Sequence, residues 1–395
     1  MTAFTALLPA AALLTAATVL PPTPATATAT ADSGAAVAPY VVVLKEAGPR
    51  ARLRALVAEA AETGDRVGAV YDTVLDGFAV RTTAARAAAL AADPRVASVE
   101  PDAEFRTSDT QTQTSAPWPL DRIDQRELPL DGAYAYATKA QGVTAYIVDT
   151  GINTLHQEFG GRARAGYNAV FLEGPADCSG HGTHVAGTVG GVTYGVAKGV
   201  SLVSVKVADC RGSGRLSGIL KGLEWMVKDA AGAPGTPAVA NMSMGGTPSF
   251  ALDSAVKRVV RAGITFTVAA GNDGSNACAG SPARVPQALT VGATDAEDRR
   301  APFSAYGPCV DLSAPGVAVT SAWRGSPTAL ARATGTSMAA PHVTGVAALI
   351  LASGAAKTPA RVAEVLVRSA LPDHVSGLPA GTPNLLLHLP GGAPA

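Results

Sequence analysis

Along most of this 395-residue chain, apolar segments with strand character alternate with segments of helical periodicity. Each run rich in β-branched residues is followed by a stretch whose apolar residues recur at helical spacing. This alternation predicts a mostly parallel sheet covered by helices on both faces. Ligand sites in such sheets form beyond the carboxyl ends of the strands, so residues that follow each strand are the first functional candidates. The alternating segments are 144–148, 181–190, 202–207, 216–229, 238–242, 252–262, 264–269, 288–292 and 337–352.

The first hundred residues predict a smaller, separate unit. Residues 106–116 (RTSDTQTQTSA) are polar and aperiodic, which indicates an exposed and easily cut linker after this unit. The total length also exceeds that of a usual single core. Strands expected at 40–44, 67–71, 78–81 and 96–100, with helices at 50–62 and 83–92, give the β-α-β-β-α-β order of a ferredoxin-like domain.

The N-terminus predicts export. Residues 6–20 form an apolar run of the length of a signal-peptide core, too short to span a bilayer, and the small-residue run ATATATA follows. No Lys or Arg precedes the run, although secretory signals normally begin with positive charge. A disordered Ala/Thr-rich N-terminus is the alternative interpretation.

Charge gives no indication of a charged partner. The 31 basic residues balance the 31 acidic ones, and no long run of one sign occurs. We therefore expect neither nucleic acid nor an anionic membrane surface as a partner.

Three polar residues lie at predicted strand-to-helix junctions. Asp149 in VDTG would, alone, be interpreted as a turn or capping aspartate. His181 in HGTHVAGTVGG lies three residues before His184, but this HxxH lacks the glutamate of HExxH, so a general base is favoured over a catalytic metal. Ser337 in GTSMAAPHV begins a helix that Pro341 should kink or restart, and alone it would be an ordinary capping serine.

The order of these residues is more specific than any of them alone. Asp, His and Ser follow one another as they do in subtilisin, a standard example of this chain order. The chain resembles the subtilisin-like serine peptidases of the proteinase K group, and within that group the aqualysin-like members. The resemblance covers roughly residues 113–389 and includes the segments 191–200, 239–246 and 281–295.

The resemblance implies a mechanism and a substrate site. Ser337 would be the nucleophile, His181 the base that takes its proton, and Asp149 the group that orients and stabilises the imidazole. Asn272 in AAGNDG, otherwise a turn residue, would donate to the oxyanion beside the Ser337 backbone N–H. Gly212, Ser213 and Gly214 would pair with the substrate backbone, while Ser243, Met244 and Gly245 with Ala269, Ala270 and Gly271 would wall the first specificity pocket.

Neither pocket wall carries an acidic side chain. We therefore expect cleavage after bulky apolar or aromatic residues of polypeptide substrates rather than after Lys or Arg.

Four cysteines, all in the larger unit, predict disulfides in an exported protein, although four cysteines allow three connectivities. The alternative is a set of reduced, buried thiols. The aqualysin-like pattern implies the pairs Cys178 with Cys210 and Cys278 with Cys309.

Hard oxygen ligands cluster in LDRIDQRELPLD. Asp121, Asp124, Gln125 and Asp131 could hold a structural Ca²⁺, which the family pattern supports, and a solvated charged loop is the alternative. The resemblance implies a second calcium site formed by Asp311 with the carbonyls of Pro286 and Ala288.

Together these features predict a secreted, monomeric zymogen without membrane attachment after export. The expected divisions are a signal peptide at 1–31, an inhibitory propeptide at 32–110 whose folded part is 39–102, and a peptidase domain at 111–395, with self-cleavage between positions 108 and 112.

The sequence features disfavour two other function classes. An α/β-hydrolase esterase needs Ser-Asp-His order and a G-x-S-x-G elbow, and the sequence contains no such elbow. A secreted binding protein on an inactive peptidase scaffold would be expected to have lost a triad member or the oxyanion donor.

Overall fold

The computed structural model describes residues 36–45, 50–102 and 110–390. The chain divides into two compact units, 1–107 and 108–395. The segment 1–31, predicted to be a signal peptide, lies outside the described residues.

The leading unit is an antiparallel four-stranded sheet with two helices, as the sequence predicted. The strands lie in the order β2-β3-β1-β4, and every neighbouring pair is antiparallel. Alternate strand residues such as Val42, Phe78 and Val80 are buried with Leu53 and Leu56 of the first helix. The elements are β1 (Val37–Leu44), α1 (Arg50–Glu62), β2 (Arg66–Tyr71), β3 (Gly77–Thr83), α2 (Ala84–Ala91) and β4 (Val96–Pro101).

The larger unit contains the predicted alternation of strands and helices. Its strands are β5 (Gln111–Thr114), β6 (Ala133–Tyr136), β7 (Thr144–Asp149), β8 (Ala163–Asn168), β9 (Ser201–Lys206), β10 (Ala238–Met242), β11 (Thr265–Ala269), β12 (Leu289–Thr294), β13 (Leu312–Pro315), β14 (Val319–Ala322), β15 (Leu330–Ala333), β16 (Leu371–Pro372) and β17 (Leu385–Leu386). Its helices are α3 (Trp118–Asp124), α4 (His181–Gly190), α5 (Leu216–Ala231), α6 (Phe250–Arg261), α7 (Thr336–Ala352) and α8 (Pro359–Ser369).

Nine strands form one twisted sheet in the order β16-β17-β13-β12-β11-β10-β7-β9-β8. All neighbouring pairs are parallel except β16 with β17. Successive side chains of a strand point to opposite faces, so Ala145 and Ile147 of β7 pack toward the α4 and α7 side, whereas Tyr146 and Val148 pack toward α5 and α6. The predicted α/β architecture with helices on both faces is confirmed.

The predicted linker is in part a strand. Residues 111–114 pair with Ala133–Tyr136 as β5 and β6, so this part of the predicted exposed linker is a strand, in which Gln111, Thr112 and Thr114 are exposed. The backbone of β5 makes these hydrogen bonds whatever its side chains are, and a polar edge strand therefore leaves no apolar signal. Residues 106–109 of the linker lie outside the described part of the chain.

Within the part of the chain that the structure describes, no helix has both the length and the apolar character needed to cross a bilayer.

Candidate active site

The carboxylate of Asp149 and the imidazole of His181 are in direct contact. Asp149 ends β7 and is buried, and His181 begins α4. Asp149 Oδ1 lies 2.7 Å from His181 Nδ1. The negative charge of Asp149 raises the pKa of His181 above its ordinary value, against the opposing effect of burial. A carboxylate only accepts, so Nδ1 carries the proton and Nε2 is left as the basic nitrogen.

Glycines allow the strand end and the helix start to come this close. A Cβ at Gly182 would lie 2.2 Å from the carbonyl oxygen of Gly151, which lies in the turn after β7. Gly180 precedes the helix with a φ of +102°, a conformation that other residues rarely adopt. The glycines on either side of His181, and Gly151 in the turn after Asp149, are therefore required for this junction to pack.

Ser337 lies in the first turn of α7 and is tied to Ser243 by two reciprocal hydrogen bonds. The Ser337 hydroxyl donates to the Ser243 carbonyl at 3.0 Å, and the Ser243 hydroxyl donates to the Ser337 carbonyl at 2.8 Å. In a regular helix the Ser337 carbonyl would accept a hydrogen bond from the backbone N–H four residues later. Residue 341 is proline, which has no N–H to donate.

Helix α7 runs from Thr336 to Ala352 without interruption, so Pro341 does not restart it. The proline lies near the helix start, and the hydrogen bond that it removes is replaced by one from Ser243.

The histidine and the serine stand at corresponding ends of two packed helices. Helices α4 and α7 pack against each other on one face of the sheet and begin at His181 and Thr336. The Ser337 hydroxyl is directed to a backbone carbonyl, so the structure joins Asp149 to His181 but shows no hydrogen bond from the serine to the imidazole. Catalytic hydrogen bonds are often long or absent without substrate.

The side chain of Asn272 has a defined orientation. It follows β11, and its Oδ1 accepts hydrogen bonds from the Thr336 backbone N–H at 2.8 Å and from the Thr336 hydroxyl at 2.9 Å. A backbone N–H can only donate, so the atom that faces it must be the amide oxygen. The Nδ2 donor has no hydrogen-bond partner among the described residues, and Asn272 and Ser337 both line one cavity.

The predicted specificity pocket is a cavity of about 490 Å³. Asp273 also lines it, outside the two predicted walls, but its carboxylate accepts hydrogen bonds from the backbone N–H and the hydroxyl of Ser275. The structure brings to this cavity all six predicted wall residues, Ser243, Met244, Gly245, Ala269, Ala270 and Gly271.

The predicted substrate-pairing segment lies at a second cavity of about 500 Å³. Gly212, Ser213 and Gly214 line it, and Gly214 forms an antiparallel bridge with Ala208. Apolar side chains lining the same cavity are Leu216, Ile219, Met242, Met244 and Leu252.

Both implied disulfides are present, with sulfur distances of 2.02 Å for Cys178–Cys210 and 2.12 Å for Cys278–Cys309. Among the described residues, one group has the spacing of a metal site, Glu173 with Cys178 and Cys210, but both of its sulfurs are in the disulfide.

Sequence reasoning missed Lys206. Its side chain is fully buried at the end of β9, where Nζ donates to the Thr150 carbonyl at 2.7 Å and lies 3.1 Å from a Glu173 carboxylate oxygen. The sequence signal for it was a lysine at the end of an apolar strand. Through its bond to the Thr150 carbonyl, Lys206 fixes the position of the backbone immediately after Asp149.

His184 is a structural residue. It is buried, its Nε2 lies 3.0 Å from the Val319 carbonyl, and burial lowers its pKa to about 4. It is therefore neutral near pH 7.

The first calcium candidate contains carboxylates that lack a compensating charge. Asp124 Oδ2 accepts from the Ala135 N–H at 2.6 Å, while its buried Oδ1 has no hydrogen-bond partner among the described groups. Burial raises the pKa of Asp124 to about 7, and the charges of Asp121 and Asp131 add to this. Gln125 Oε1 faces the same loop and accepts from the Asp131 N–H at 3.2 Å. The orphaned buried oxygen of Asp124 is a ligand that a calcium ion could use, although the three carboxylates do not have the mutual spacing of a metal site.

The second candidate fits less fully. The Asp311 carboxylate accepts from the Thr290 N–H at 2.7 Å, and burial raises its pKa to about 6. Pro286 and Ala288 lie just before β12, the strand that contains Thr290.

A serine, an amide donor and a histidine held by a buried carboxylate, on a parallel sheet and in Asp-His-Ser order, define a serine peptidase of the subtilisin type. Comparison with protein-family models agrees. Residues 140–388 match the subtilase family, and residues 39–108 match the peptidase inhibitor I9 family. The chain belongs to the subtilase family and is a serine endopeptidase.

Individual relatives support the same assignment. The chain is 53% identical over 328 residues to an extracellular serine proteinase of Thermus sp. (strain Rt41A), a match that covers 83% of this chain and 78% of that protein. It is 46% identical to alkaline serine exoprotease A of Vibrio alginolyticus over 82% of this chain and 60% of the relative. A crystal structure of a cold adapted subtilisin-like serine proteinase matches with a TM-score of 0.67 and 48% identity, over 71% of this chain and 100% of that one.

Proposed function

We propose that this protein is a secreted, self-processing endopeptidase in which Asp149, His181 and Ser337 form the catalytic triad and Asn272 the oxyanion donor. The observation that carries the proposal is the 2.7 Å contact of Asp149 with His181 at the start of α4, a helix that packs against α7, whose first turn contains Ser337.

The reaction proceeds through an acyl-enzyme. His181 Nε2 accepts the Ser337 proton as Oγ attacks the scissile carbonyl, and Asp149 stabilises the imidazolium that forms. The negative oxygen of the tetrahedral intermediate receives hydrogen bonds from Asn272 Nδ2 and the Ser337 N–H. The imidazolium then gives its proton to the leaving amine, and water repeats the sequence to release the acid. Ser337 must first leave its contact with the Ser243 carbonyl.

The cavity favours bulky apolar or aromatic side chains before the cut. Its walls are Ser243–Gly245 and Ala269–Gly271, without a carboxylate, and a basic substrate side chain would find no charge partner on them. Asp273 lies outside these walls and its carboxylate already accepts two hydrogen bonds. A peptide library should give Phe, Tyr, Leu and Met before the cut, and a profile dominated by Lys and Arg would refute this specificity.

Control by the leading unit follows from its match to the I9 inhibitor family. We propose a signal peptide at 1–31, a propeptide at 32–110 and a peptidase domain at 111–395, with the cut between positions 108 and 112. Because β5 begins at Gln111, a cut that precedes it would keep the β5–β6 pairing in the mature enzyme. N-terminal sequencing of the active species tests this position.

Calcium would be structural. Asp121, Asp124, Gln125 and Asp131 would hold one ion, and Asp311 with the carbonyls of Pro286 and Ala288 a second. A bound cation would neutralise carboxylates that burial otherwise disfavours as charged groups. No part of the catalytic cycle uses the metal.

Secretion and a monomeric state complete the proposal. The Thermus relative is named extracellular, and the two disulfides need an oxidising compartment. We expect polypeptides as the substrates and no nucleic acid partner.

Casein digestion by the secreted protein, with and without a serine-directed inhibitor, tests the proposed function. The wild-type chain should digest casein and lose this activity with the inhibitor, whereas Ser337→Ala should accumulate as uncut precursor. Digestion that resists the inhibitor, or normal self-processing by purified Ser337→Ala, would show that Ser337 is not the nucleophile.

A further inference from the structure

We infer that Asp177 is a positioning residue for the triad, and that with Thr150 it caps helix α4 so that His181 is held against Asp149. The inference rests on the proposed catalytic roles and goes beyond them. Asp177 is buried in the loop before α4 and does not touch the reacting atoms in the proposed mechanism.

The Asp177 carboxylate accepts five hydrogen bonds. Oδ1 accepts from the Thr150 hydroxyl at 2.9 Å, the Ser179 N–H at 2.9 Å and the Gly180 N–H at 2.8 Å. Oδ2 accepts from the Thr183 N–H at 2.9 Å and the Thr183 hydroxyl at 2.6 Å. Both oxygens are thus saturated by donors from the strand end and the helix start.

These bonds take the place of an ordinary helix cap. Gly180, the capping residue of α4, has no side chain to accept from the first-turn N–H groups. Asp177 accepts the Thr183 N–H, and the Thr150 hydroxyl accepts the Gly182 N–H at 2.9 Å. Since the Thr150 hydroxyl also donates to Asp177, one network fastens the helix that begins at His181 to the strand that ends at Asp149.

The Thr150 backbone continues this network to the triad. Its N–H donates to Asp149 Oδ1 at 2.8 Å, the oxygen that also contacts His181. Its carbonyl accepts from buried Lys206. A shift of Thr150 would therefore change the orientation of the Asp149 carboxylate.

The charge of Asp177 also acts on His181. The charged or titratable groups around the imidazole are Asp149 in contact, Asp177 behind the helix start, His184 one turn along α4 and Lys206 beyond Thr150. Asp149 is the largest influence that raises the pKa of His181, and Asp177 adds to it in the same direction. Removal of the Asp177 charge should therefore lower the pKa of His181.

The test compares Asp177→Asn with Asp229→Asn in the full-length secreted protein. Asp229 is a partly buried aspartate that accepts from the Tyr146 hydroxyl at 2.8 Å and has no part in the proposed site. Asp177→Asn should lower kcat by about 10- to 100-fold with KM within about threefold, the loss expected from misplaced catalytic groups. The acid limb of its kcat/KM profile should move to lower pH. Asp229→Asn should leave kcat and the acid limb of the kcat/KM profile unchanged.

A second pair of variants separates position from charge. Thr150→Val removes the hydroxyl but keeps the Asp177 charge, so kcat should fall while the acid limb moves less than it does in Asp177→Asn. Thr150→Ser should retain most of the activity because it keeps the hydroxyl. Should Asp177→Asn fail to mature, NMR titration of His181 in the uncut Ser337→Ala chain, with and without Asp177→Asn, provides the same pKa comparison.

Other outcomes would overturn the inference. If Asp177→Asn leaves kcat and the pKa of His181 as they are in Asp229→Asn, or if Thr150→Val and Thr150→Ser behave alike, Asp177 has no positioning role. Failure of the proposed function is distinguished from failure of this inference by Ser337→Ala, which would retain activity only if the proposed function were wrong.

Discussion

The paired hydrogen bonds between Ser243 and Ser337 predict that Ser243 and Pro341 are energetically coupled. The Ser243 hydroxyl accepts from Asn241 Nδ2 at 2.9 Å and donates to the Ser337 carbonyl at 2.8 Å, in fully buried surroundings. Pro341 is the reason that this carbonyl needs a donor from outside the helix. Ser243→Ala leaves one buried donor and one buried acceptor without partners, which should cost about 2–6 kcal/mol of unfolding free energy at 1–3 kcal/mol each.

Pro341→Ala should recover part of this loss. Alanine restores an N–H that can donate to the Ser337 carbonyl, so the substitution should stabilise the Ser243→Ala protein more than the parent, whose carbonyl already has a donor. We expect a coupling free energy of about 1–2 kcal/mol, the value of one replaced buried hydrogen bond.

Urea unfolding followed by tryptophan fluorescence measures the unfolding free energies of the parent, of Ser243→Ala, of Pro341→Ala and of the double variant, which together form a double-mutant cycle. All three tryptophans, Trp118, Trp225 and Trp323, belong to the larger unit, so the signal reports that unit alone. A common Ser337→Ala background prevents self-digestion and keeps the backbone carbonyl in question. Ser204→Ala is the matched control, because the buried Ser204 hydroxyl has no hydrogen-bond partner among the described groups and its removal should cost little. Additive effects of Ser243→Ala and Pro341→Ala, within about 0.5 kcal/mol, would refute the reasoning.

Three further predictions follow from individual environments. Asn272→Asp keeps the oxygen that binds Thr336 but removes the oxyanion donor. We expect kcat to fall by about 10²–10³-fold, a magnitude known from subtilisin itself, with little change in melting temperature. An unchanged kcat would remove Asn272 from the mechanism. Chelation of calcium should lower the melting temperature of the mature enzyme, and Asp124→Asn should reduce that response; no effect of chelator would exclude a structural ion. Burial lowers the pKa of His184 to about 4 and of His342 to about 3 in the folded protein. In the unfolded chain both histidines have their ordinary pKa near 6.5, so the unfolded chain binds protons first as the pH falls. The free energy of unfolding should therefore decline below about pH 6.5. His342→Gln should make this decline shallower between pH 6.5 and 4 in urea titrations of the Ser337→Ala chain, and an equal slope would contradict the assignment.

The predictable part of the fold is the part whose side chains are buried on a regular period. The apolar run at 144–148 predicted β7 because both faces of that strand are covered, and the segment 181–190 predicted α4 with its observed bounds. The same junctions placed Asp149, His181 and Ser337, because parallel strands bring their carboxyl ends to one edge of the sheet.

The unpredicted part depends on contacts between residues far apart in sequence. Strand β5 is polar and exists through backbone pairing with β6. Asp177 caps α4 from outside the helix, through a loop conformation that no periodicity reveals. Pro341 was expected to kink or restart α7; the helix does not restart there, and Ser243 on another strand end supplies the donor that the proline lacks.

The most direct test of the account is the stoichiometry and position of labelling by a fluorophosphonate. An activated serine should react where ordinary hydroxyls do not, since His181 must remove its proton. Mass spectrometry of the mature enzyme should find one label per chain, on Ser337, and Ser243→Ala should only slow the labelling. Labelling at another residue, or none in a protein that digests casein, would contradict the assignment of Asp149, His181 and Ser337 as the catalytic groups.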